Sequence, residues 1–119
     1  MTALLYTTND TVKVLDYPDN PKGMEWFEKQ IGCEYVEIVR PFRLPRGYVM
    51  LVDEMGLYTE KKPNSFGSYL YGFDMHHQPI IGDILIVMEK NHELCGMDDV
   101  ERARLMERFD LHVTPQRNG

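Results

Sequence analysis

The 119-residue sequence predicts an α+β domain, a curved, mainly antiparallel sheet of about five strands with two flanking helices. Three observations carry this reading. Strand-like runs outnumber helical ones. They follow one another in groups instead of alternating with helices, which favours a mixed sheet over a parallel α/β arrangement. The two helix-period segments bring their own start residues, so they stand apart from the strands.

The first strands are Ala3 to Tyr6 and Thr11 to Leu15, separated by Thr7-Thr8-Asn9-Asp10. Asn and Asp supply turn chemistry, so the pair reads as a hairpin. Pro18 rules out a continued ladder. A helix is expected from Asn20, with Asn20 as N-cap, Pro21 in the first turn and Met24, Phe27 and Ile31 recurring at three and four. Gly32 stops it as a C-cap. Glu34 to Arg40 is the next strand, and Tyr48 to Val52, apolar throughout, is a central strand covered on both faces. Glu54-Met55-Gly56 makes a tight turn. Ser65 to Phe73 carries Phe66, Tyr69, Leu70 and Phe73 at helical spacing, with Gly67 and Gly72 working against it. Ile80 to Met88 is the strongest strand signal, and Gly82 within it marks a bulge or close approach. A last helix opens at Asp98 or Asp99, contains Leu105, Met106 and Phe109, and is ended by Pro115; a loose tail follows over 115–119.

The length fits one domain spanning 1–119. With 19 acids against 13 bases the net charge is -6, which disfavours sequence-independent nucleic-acid binding, since that depends on neutralising phosphates. Cys33 and Cys95 form no Cys-x-x-Cys pair and read as isolated thiols rather than a zinc or redox motif. Met1 to Tyr6 has neither a basic region nor a sustained apolar run, and no stretch approaches 18 apolar residues, so the chain reads as cytoplasmic and not membrane-bound.

The spacing of Gly32 to Ile38, Asp53-Glu54-x-Gly56, Pro63-Asn64 and Ile81-Gly82-Asp83-Ile84, with a short helix after Met97-Asp98-Asp99, resembles domain-of-unknown-function family 3846. These marks lie over roughly residues 30–110. Cys33 stands where such sequences often carry a second Gly, and Gly67-Ser68 replaces an Ala-rich stretch. The resemblance implies a small α+β fold with a phage or mobile-element connection. It brings no activity and no catalytic residues.

The residues singled out for binding are Arg40, Arg43 and Arg46, which recur at three in a segment punctuated by Pro41 and Pro45. Polyproline II has three residues per turn, so an extended segment would align all three guanidiniums on one edge suited to phosphate or carboxylate. Against this stands a solvated loop whose arginines pair with acids such as Glu34 or Glu37. Lys61 and Lys62 would extend the anion site, as would Asn64 unless it caps the following helix. Tyr69, Phe73 and other aromatics of the middle third serve a core or a stacking surface, the latter requiring an exposed ring beside the arginines. Asp74, His76 and His77 gather closely, but adjacent histidines in a loop need two distant partners to hold a metal. The expected function is thus a binding or inhibitory module without catalysis or cofactor, recognising an anionic small molecule or a host protein. The alternatives are a nucleotide- or phosphoester-processing enzyme using Asp53, Glu54, Asp83 or His76, and a homo-oligomer, such as a homodimer, pairing along an exposed edge near Tyr48 to Val52.

Overall fold

The computed structural model of the chain describes residues 1–116. The tail expected at 115–119 therefore lies outside the described residues beyond Gln116. Within them run β1 (Thr2–Tyr6), β2 (Val12–Asp16), α1 (Glu25–Ile31), β3 (Val36–Val39), β4 (Tyr48–Asp53), a 3-10 turn (Gly56–Tyr58), α2 (Ser65–Tyr71), α3 (Phe73–His76), β5 (Ile84–Lys90), β6 (Glu93–Cys95) and α4 (Asp99–Arg108). The strands form one curled, unclosed sheet in the order β2-β1-β5-β4-β3, every pairing antiparallel, with β6 on the end of β5. This is the α+β architecture the sequence predicts.

The apolar runs of the inner strands follow from burial on both faces, because successive strand residues point to opposite sides. Leu4, Met50, Val52, Ile84, Ile86 and Met88 enter a core with Phe66 and Leu70 of α2 and Leu105 of α4. Ala3, Leu5, Val49, Leu51, Leu85 and Val87 enter a second core with Phe27 and Ile31 of α1. One helix thus covers one face, and α2 and α4 cover the other.

Local chemistry sets several boundaries. Gly32, left-handed at φ 77, closes α1 by donating its N–H to Glu28 O, a conformation that suits a residue without Cβ. Asp98 and Glu101 make a reciprocal capping box at the start of α4. Among the described residues no helix is long and apolar enough to cross a membrane.

Three boundaries and one proposed edge differ from expectation. Asn20 is left-handed at φ 51, so it turns the chain instead of capping α1, which starts at Glu25. The strand expected from Ile80 begins at Ile84, since Gly82 turns at φ 91 and only Ile81 bridges back to Pro63. The last helix ends at Arg108, ahead of Pro115, where Asp110 turns at φ 52. The edge proposed near Tyr48 to Val52 is interior: β4 is paired to β3 on one side and β5 on the other.

Candidate functional site

The arginine segment is not a polyproline helix. Leu44 N donates to Pro41 O and Tyr48 N to Pro45 O, so the chain makes two successive turns. Burying Leu44 in the core pulls the segment inward, and turn hydrogen bonds replace the fully solvated backbone that polyproline II needs. The three guanidiniums consequently part company. Arg40 forms a two-point ion pair with Glu89, and Arg46 is exposed; both line a recess of about 350 Å³. Arg43 turns the other way, toward α2 and α3. Neither of the acids close in sequence, Glu34 or Glu37, is the partner.

Arg43 is held on four sides. Its guanidinium carbon lies 4.9 Å from the centre of the Phe42 ring and 4.6 Å from that of Tyr69. One terminal nitrogen donates to Tyr69 O at 2.6 Å and to Asp74 Oδ1 at 2.9 Å, while the other reaches Asp74 Oδ2 at 3.0 Å. The guanidinium hydrogen-bonded to Asp74 holds that carboxyl below its ordinary range.

Beside this arginine runs a groove of about 800 Å³ along the outer side of α2. Lys62, Pro79 and Thr8 contribute to its walls, and Ser65, Ser68 and Tyr69 lie along it at helical spacing. Tyr69 and Phe73, both exposed, line it too, together with the ion-paired Arg43 and Asp74. Of the three candidate arginines, Arg43 is the one that an exposed ring stands beside among the described residues. Tyr69 and Phe73 are four residues apart, which is the signal by which the groove's rings show in the sequence.

The predicted Asn64 borders the groove but points into the protein. It is fully buried, its Oδ1 accepts from Gly67 N at 2.9 Å, and its Nδ2 donates to Tyr6 O at 2.9 Å and Gly82 O at 3.0 Å. Both amide hydrogens are spent on backbone, so Asn64 caps α2 and ties it to β1 and to the approach to β5. Lys61 is likewise engaged, with Nζ 2.8 Å from the buried Asp53 carboxylate and 2.6 Å from Gly32 O. Gly56 packs so close to Ile81 that an added Cβ would meet Ile81 Cβ at 3.0 Å. The short motifs around Asp53, Gly56, Asn64 and Gly82 thus build one corner of the sheet. Of the six predicted binding residues, Arg43 and Lys62 line the groove, Arg40 and Arg46 flank the smaller recess, and Lys61 and Asn64 hold the framework.

The acid and imidazole groups considered for catalysis sit in separate settings. Asp53 accepts from Lys61 and from Met55 N, Asp83 accepts from Thr8 N at 3.0 Å, and the His76 ring lies 5.3 Å from that of Tyr71. Among the described residues no group of three or more His, Cys, Asp or Glu is placed to hold a metal ion. Cys33 and Cys95 are both half-buried free thiols, and burial pushes both upward in pKa.

A second cleft, of about 620 Å³, lies where Tyr17 and the turn after it face Glu93 to Gly96. The Tyr17 hydroxyl is buried without a hydrogen-bond partner among the described residues, and burial pushes its pKa up to about 12. Folding therefore favours the neutral phenol. The stability contributed this way is complete below the ordinary pKa near 10 and is lost as pH rises from there through about 12. Tyr17→Phe should flatten that alkaline limb, as read from urea midpoints between pH 9 and 12 against wild type. An identical slope in both proteins would show that Tyr17 does not drive it.

No family model, curated protein or solved structure matches the chain. The resemblance to family 3846 rests on its short motifs alone.

Proposed function

We propose that the protein is a small cytoplasmic binding module, acting by capture rather than turnover, whose ligand is an anion carrying an apolar or ring-bearing portion. The supporting observation is the groove along α2, where Arg43 and Lys62 supply positive charge and the exposed rings of Tyr69 and Phe73 supply apolar surface. In a chain of net charge -6, Lys62 and an Arg43 whose charge is countered, among the described residues, only by the exposed Asp74 attract an anion locally while the remaining surface repels polyanions such as nucleic acid. Planar guanidinium donors orient carboxylate or phosphate oxygens, and the neighbouring rings contribute most of the contact area. The source of the anion, a small molecule or an acidic segment of a host protein, follows the phage or mobile-element connection that the family resemblance implies.

The test is a nuclear magnetic resonance titration with two probes, phenyl phosphate and N-acetylglutamyl-phenylalaninamide. Amides of Ser65, Ser68, Tyr69 and Phe73 should shift together with at least one probe. Arg43→Ala should weaken that probe about threefold or more, the scale of a surface ion pair. Shifts confined to the Arg40–Arg46 recess, or none with either probe, would remove the groove from the proposal.

A further inference from the structure

We propose that Asp74 is an internal occupant of the groove's anion seat, carried on a short strap, and that the incoming ligand is a carboxylate-bearing peptide segment that displaces it. This rests on the groove reading above and adds the ligand class and a built-in competitor.

The seat is formed independently of Asp74. The Arg43 side chain is only 22% exposed, clasped by the Phe42 and Tyr69 rings and anchored by its bond to Tyr69 O. The occupant differs, since the Asp74 side chain is 63% exposed. It rides on α3, a single turn bracketed by two left-handed residues, Gly72 at φ 90 and His77 at φ 57. Both flanks of the strap are fixed: Gly72 N donates to Ser68 O and Tyr69 O, and Ile80 N donates to Ser68 Oγ at 2.9 Å. Among the described residues, the Asp74 bonds to Arg43 are the side-chain hydrogen bonds that join α3 to the arginine turn. The seat is therefore rigid and its plug is tethered but replaceable.

The plug also identifies what the seat accepts. Two oxygens of one planar carboxylate meet the two terminal nitrogens of Arg43 at 2.9 and 3.0 Å. A glutamate or aspartate side chain of a partner reproduces those bonds and adds contacts to Tyr69 and Phe73. Because exposed ion pairs contribute little, exchanging one for another is nearly neutral, and the ring contacts decide the outcome. Apparent affinity then falls by the fraction of molecules whose seat is plugged.

Calorimetric titration with N-acetylglutamyl-phenylalaninamide provides the test. Asp74→Asn should bind at least fivefold more tightly than wild type, Arg43→Gln in that background should abolish the gain, and amide exchange at residues 73–77 should quicken in Asp74→Asn. Glu60→Gln, which removes one exposed acid elsewhere, should leave affinity within twofold. Equal affinity in wild type and Asp74→Asn, with groove amides shifting in both, would overturn the strap and leave the groove intact. A gain from Glu60→Gln matching that from Asp74→Asn would overturn it too, by reducing the effect to net charge. Tighter binding of phenyl phosphate than of the peptide to Asp74→Asn would overturn the carboxylate assignment. If groove amides shift with neither probe, the groove reading fails and takes this proposal with it.

Discussion

Replacing Asn64 by Ala should lower stability by about 3 kcal/mol, measured as a fall in the urea midpoint at unchanged slope. The substitution removes the cap of α2, worth about 1 kcal/mol, and strips a donor from each of two carbonyls, Tyr6 O and Gly82 O. A buried acceptor left without a partner costs about 1–3 kcal/mol, and among the described residues no other side chain donates to these two carbonyls. Asn64→Asp separates the two contributions. It keeps the oxygen that accepts from Gly67 N but sets a carboxylate against two carbonyl oxygens, so it should be at least as damaging as Ala. A mild Asp variant would mean that the cap alone matters. A loss under about 1 kcal/mol in Asn64→Ala would mean that the corner does not depend on this amide.

Comparable losses are expected at the centre of the sheet. Leu85 and Ile86 are adjacent in β5, both at 0% exposure, and they face different cores. Leu85→Ala should cost about 3 kcal/mol by opening a cavity against α1, and Ile86→Ala a similar amount on the side of α2 and α4. Chain neighbours ordinarily couple, but the backbone sheet separates these two. The double variant Leu85→Ala with Ile86→Val should equal the sum of its parts within about 0.5 kcal/mol. A larger coupling would show that the two cores respond as one packed unit.

The readable parts of the fold were those set by nearby residues. The first hairpin, the all-apolar β4, the Gly32 stop, the Asn64 cap and the Asp98 start of α4 each depend on contacts within a few positions. The start of α1 was misread because Asn20 and Pro21 suit a helix N-terminus and a turn equally, and the turn prevails with Asn20 left-handed. Strand β6 escaped notice because it has three residues and depends on β5 through Asn91 and His92, both at positive φ. For the site, residue types were legible and their grouping was not. The recurrence of arginine at three suggested one edge, whereas the partners of Arg40 and Arg43 lie 49 and 31 residues away. Pairings over such separations are made by the fold, so local spacing carried no trace of them.

The strand order has a consequence for synthesis. Strand β1 precedes both of its neighbours in the chain yet lies inside the sheet, with β2 on one side and β5 on the other. Its second partner begins at Ile84, and at roughly 5–20 residues per second the ribosome takes on the order of 4–16 s to deliver it. Through that interval the nascent hairpin keeps one side open, with Ala3 and Leu5 lacking the cover that Leu85 and Val87 later give. Sheet closure thus waits on a strand distant in the chain, and the waiting hairpin is the stretch on which a ribosome-bound chaperone would have the most to shield.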